Sequence, residues 1–120
     1  MVARVAIALL LGCTACGGEE PQILLELTSE RLPLPGGLDS IAVRSHGIGE
    51  AEARLEVVVD VSASHAYPIV LLLTPTEGTP SPLVHEIECF AAETRVCALA
   101  VTHPWRRDEV SRARVSLDPP

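Results

Sequence analysis

Arg54-Leu55-Glu56-Val57-Val58-Val59-Asp60-Val61-Ser62 decides the fold. Leu55, Val57, Val59 and Val61 fall on one side of an extended chain, and Arg54, Glu56, Asp60 and Ser62 on the other. A period of two is the spacing of a strand with one face in a core and the other in water. Ile23, Leu25 and Leu27 repeat the pattern, with Leu24, Glu26 and Thr28 opposite. Further strands are expected over Ser40–Ser45, Ile69–Thr74, Leu83–Phe90, Arg95–Thr102 and Val110–Leu117, about seven in all. Between them lie Pro33–Gly37, His46–Gly49, Pro75–Pro80 and His103-Pro104, where Pro and Gly supply turn geometry and remove ladder donors. Glu50–Ala53 is long enough for one helical turn at most, and helical spacing is sustained nowhere. The expectation is an all-β chain, a single antiparallel β-sandwich.

One hairpin can be registered from its residues. If Cys89 faces Cys97 across a turn at Ala92-Glu93-Thr94, then Ile87 faces Leu99 and His85 faces Val101. That register gathers Leu83, His85, Ile87, Cys89, Cys97, Leu99 and Val101 on one face and turns Glu86 and Glu88 outward. Opposed residues of an antiparallel pair have close Cβ atoms, so a Cys89–Cys97 disulfide is expected. A loop this small contributes roughly 2.5 kcal/mol by the chain-entropy estimate.

Composition narrows the function. About 100 residues remain once a leader is set aside, which suits one domain. An apolar fraction of 48% argues against disorder. All nine basic residues are Arg, and 16 are acidic; losing residues 1–12 removes Arg4 and leaves a net charge of −8. Nucleic acid is excluded as a partner, because phosphate binding needs a basic patch. Tyr67, Phe90 and Trp105 are the whole aromatic complement, too few for a base- or sugar-stacking platform.

The N-terminus carries an address. Met1-Val2-Ala3-Arg4 is followed by seven apolar residues, Val5 to Leu11, then Gly12 and Cys13. One positive charge, a short apolar stretch and a small residue form the order of a secretory signal, and seven residues cannot span a bilayer that needs about 20. Leu10-Leu11-Gly12-Cys13 resembles the lipobox of bacterial lipoproteins. That resemblance implies a signal peptide at 1–12, cleavage before Cys13, diacylglycerol on its sulfur and acylation of its new amino group. Two or three acyl chains hold a protein on a membrane where one does not. Cys16, preceded by Thr14 and Ala15, is the alternative acceptor; its use would remove Cys13 with the leader and leave no odd thiol. Cys13-Thr14-Ala15-Cys16 has the spacing of a redox motif, but Gly17-Gly18-Glu19-Glu20-Pro21 denies it the helix N-terminus that lowers a thiol pKa. Residues 13–21 are read instead as acylated cysteine plus flexible tether, and 22–118 as the domain. Lipobox, tether and strand pattern together resemble the small immunoglobulin-like lipoproteins of high-GC Gram-negative bacteria. The resemblance implies a lipid-anchored place in the cell envelope. With no aspartate after either cysteine, the outer membrane is preferred.

Catalytic signatures are thin. His85-Glu86-Ile87-Glu88-Cys89 lacks the second His that a zinc protease helix places four residues on, and a disulfide would consume Cys89 and Cys97 as ligands. His85 is read as a packed or edge histidine; His46, His65 and His103 fall in loops or at strand ends. Ser62-Ala63-Ser64-His65 is a polar turn, and no Gly-x-Ser-x-Gly elbow exists. Glu86 and Glu88 share a solvated face without the cleft that glycoside chemistry needs. His103-Pro104-Trp105-Arg106-Arg107-Asp108 stands out, since Trp and Arg dominate binding hot spots. Trp105, Arg106 and Arg107 either contact a partner, or Trp105 plugs the open end of the sandwich while the arginines lie in water. No metal or cofactor is expected. The function expected is a non-enzymatic binding or structural module meeting an envelope protein or glycan. The alternatives are a small hydrolase or metal-dependent enzyme, and an accessory subunit of a larger envelope complex.

Overall fold

The computed structural model describes the backbone of residues 4–7 and all of residues 22–119. Cys13, Cys16 and the tether lie outside the described residues. The described strands are β1 (Arg4–Ile7), β2 (Gln22–Thr28), β3 (Ser40–Gly47), β4 (Leu55–Asp60), β5 (Ile69–Thr74), β6 (Leu83–Ala91), β7 (Thr94–His103) and β8 (Val110–Ser116). They form two sheets, β1-β5-β2-β8 and β4-β3-β6-β7. The described residues contain no helix, and the chain is an all-β sandwich, with the seven strands expected from Gln22 onward. Boundaries moved little: β3 runs on through His46 to Gly47, and Glu50–Ala53 forms no helical turn.

Period two builds the core. Ile23, Leu25 and Leu27 of β2, Ile69, Leu71 and Leu73 of β5, and Ala113 and Val115 of β8 line one wall. Ile41 and Val43 of β3, Leu55 of β4, and Ile87 and Cys89 of β6 line the other. Interdigitated side chains from two such walls fill a layer about 10 Å thick. Val61, just past β4, is buried as expected and donates its amide to Asp39 O at 2.8 Å.

Topology departs from a plain antiparallel meander at β8, which runs parallel to β2, pairing Gln22 with Val110 and Thr28 with Ser116. Charge accompanies this placement. Glu26 on the outer face of β2 lies 3.3 Å from Arg112 and 3.4 Å from Arg114 of β8. Leu24 faces outward as expected yet is 2% exposed, with Arg112 as its register partner. Asp118 closes the seam: it accepts from Ser29 Oγ and, at 2.6 Å, from the Glu30 amide. Those hydrogen bonds hold its carboxyl below the usual carboxylate range.

Candidate functional site

The β6–β7 hairpin has the register read from its residues, Cys89 against Cys97, Ile87 against Leu99 and His85 against Val101. Cys89 and Cys97 are joined by a disulfide. The turn is tighter than expected. Ala91 pairs with Thr94 across Ala92 and Glu93, and Ala92 takes φ 55°. An L-residue in that left-handed region is strained. The Asp39 carboxylate secures it by accepting the Ala92 amide. A register shift between Cys89 and Phe90 lets the turn close.

His85 is fully buried, and the period-two pattern puts it there. Its partner is Ser45 of β3, directly opposite in the β3–β6 register and 1% exposed. Ser45 Oγ and His85 Nδ1 share a hydrogen bond of 2.6 Å. Nε2 has no partner among the described residues. Burial pushes the imidazole down to about 4, helped by the nearby His103 and His46. A serine beside a neutral histidine is the pairing of a nucleophile with its base. Here neither atom can be reached by a substrate. The adjoining cavity, lined by Ser45, Leu55, Leu73, Thr79 and Leu83, measures about 20 Å³, the size of one water. Chemically, the pair is a polar contact sealed inside a core, satisfied at Nδ1, and burial keeps His85 uncharged.

The outer face of β4-β3-β6-β7 is a shallow groove of about 330 Å³ along Ala42, Arg44, Glu56, Val58, Glu86 and Glu88. Arg44 is its hub. The guanidinium meets Glu56 at 3.2 Å, Glu86 at 2.8 Å and the Ala51 carbonyl at 2.7 Å. His46 adds a contact of 2.9 Å to Glu86, and Arg95 one of 3.1 Å to Glu88. Glu86 and Glu88 point outward as expected, but their charges are matched, so this face is compensated instead of plainly acidic. The cations that match them could be found only with the register of three strands in hand. Arg44 is a direct cross-strand neighbour of both Glu56 and Glu86.

In the loop after β7, Trp105 is 6% exposed and belongs to the core. Its Nε1–H donates to Pro80 O at 2.7 Å and its amide to Ser81 Oγ at 3.0 Å. The indole is therefore the plug and not a contact surface. Arg106 and Arg107 remain exposed, with the Arg107 guanidinium 5.3 Å from the indole centroid, inside cation–π range. His103 Nε2 lies 3.2 Å from Arg112 O, linking β7 to β8. His46, His85 and His103 share one end of the molecule, and no group of three or more His, Cys, Asp or Glu among the described residues has the geometry to hold a metal ion. No described helix is long and apolar enough to cross a membrane. Compared with protein-family models, curated proteins and solved structures, the chain matches none at a significant level.

Proposed function

We propose that the chain is a lipid-anchored envelope lipoprotein whose sandwich acts as a non-enzymatic binding or structural module. The observation that carries the second half is the sealing of Ser45 and His85 at 1% and 0% exposure, while the accessible groove is shallow and its charges are paired. Chemistry needs a nucleophile and base that substrate can touch; docking needs a stable face. Two features support the envelope half of the reading. The N-terminal charge, apolar stretch and Gly12-Cys13 have the order of a lipoprotein signal, and the Cys89–Cys97 bond is of a kind that persists where the medium is oxidising. In this scheme residues 13–21 tether the sandwich to the outer membrane, and an envelope protein or glycan meets Arg106, Arg107 or the sheet. Metabolic labelling with palmitate in a Gram-negative host tests the anchor. The wild-type chain takes up label, and Cys13→Ser abolishes it. Loss of label in Cys16→Ser alone moves the anchor to Cys16, and an unlabelled wild-type chain refutes the anchor.

A further inference from the structure

Each open sheet edge must be protected, because unpaired N–H and C=O groups invite another strand. The strands that flank the described sandwich differ in this respect. β4 carries Glu56 and Asp60, β7 carries Arg95 and a register shift at its start, and β8 carries Arg112 and Arg114. β5 reads Ile-Val-Leu-Leu-Leu-Thr, with no charge and no proline inside it; Pro68 and Pro75 stand just beyond its ends. Its cover is the backbone of Arg4–Ile7, which pairs antiparallel, Arg4 with Thr74 and Ile7 with Leu71. Those four residues belong to the segment whose removal is proposed above.

We infer that the outer edge of β5 is a strand-accepting site. The leader caps it in the precursor, and after cleavage it receives an extended, mainly apolar segment of a partner protein, antiparallel to β5. The leader segment supplies the template: Arg-Val-Ala-Ile, mostly small or branched apolar residues, already lies in register on this edge. Main-chain hydrogen bonds would give affinity, and the outward side chains Val70, Leu72 and Thr74, half-buried here, would favour an apolar partner. The inference rests on the proposed removal of the leader, but the edge can be tested apart from it.

The experiment titrates a fluorescent peptide of residues 3–10 against three proteins and follows polarisation. The first is the unprocessed full chain, the second the mature protein in detergent, and the third the full chain with Val5→Pro and Ala6→Pro, which remove two successive amides of β1, one of which must face β5 in an antiparallel ladder. Binding to the second and third at least tenfold tighter than to the first is expected. A further Leu72→Lys change should abolish that binding while the melting temperature stays within a few degrees. Equal binding to all three, or binding that survives Leu72→Lys, overturns the site. If the third protein sediments as a dimer with the β5 amides protected from exchange, a second copy covers the edge and the partner assignment is wrong. If only the third binds and the mass of the cellular protein still includes Met1, the edge stands and the proposed cleavage fails.

Discussion

Lowering the pH from 7.5 to 5 should weaken this fold through a single buried side chain. His85 has an ordinary value of 6.5 and is held down to about 4 in the fold. Between those values the unfolded chain binds a proton that the folded chain refuses, so stability falls as the pH falls. Above pH 7.5 both states are neutral and the effect vanishes; below pH 4 both are charged and the loss is constant. The full difference is about 3 kcal/mol, and about 2 kcal/mol of it has been lost by pH 5. For a domain of about 100 residues that is a melting temperature lower by roughly 10 °C. Carboxylates act in a separate window. Glu50, held at about 2 by Arg54 and the Gly47 amide, together with Asp60 and Asp118, loses its contribution only as the pH falls below the ordinary carboxylate range. The assay is urea unfolding at half-unit steps from pH 7.5 to 4.5, for the wild type and for Ser45→Ala/His85→Leu. Changing both residues avoids stranding a buried hydroxyl. The wild type should lose stability through this range and the double variant should not. A flat wild-type profile, or the same slope in both, rules out His85 as the source of acid sensitivity.

Reducing the disulfide, or changing Cys89 and Cys97 to Ala together, should cost roughly 2.5 kcal/mol in denaturant titration, the value for closing a loop of this sequence separation. Ala92→Gly should raise stability by about 0.5–1 kcal/mol, since glycine relieves the positive φ while Asp39 still holds the amide; calorimetry reads this as a higher melting temperature. Trp105→Ala should cost about 3–5 kcal/mol, Arg107→Ala about 0.5–1 kcal/mol through the lost cation–π contact, and Arg106→Ala less than about 0.5 kcal/mol.

Much of the architecture is written in local pattern. Leu55, Val57 and Val61 meet the core because a strand alternates its side chains, and that needs no knowledge of the partner strand. The β6–β7 register is legible because two cysteines and a short turn leave one pairing that also aligns Ile87 with Leu99. What depends on distant pairing is not legible. Nothing local says that β8 runs parallel to β2, although Arg112, Arg114 and Glu26 are the charges that fit there. Ser45 and His85 are 40 residues apart, so the partner that settles His85 inside the core appears only with the β3–β6 register. Arg44 was equally hidden, since its carboxylates come from two other strands. The order of residues in a loop does not say which way the Trp105 indole turns, so plug and contact are equally legible there; Pro80 and Ser81 decide it.

The proposed anchor hangs this sandwich from a membrane by an acylated cysteine once the leader is gone. Intact mass spectrometry of the protein extracted from membranes reads it directly. The expected mass is that of a chain beginning at Cys13, heavier than its sequence by a diacylglycerol and a fatty acyl group, with Cys89 and Cys97 unavailable to alkylation. A soluble chain of unmodified mass that retains Met1 would contradict it.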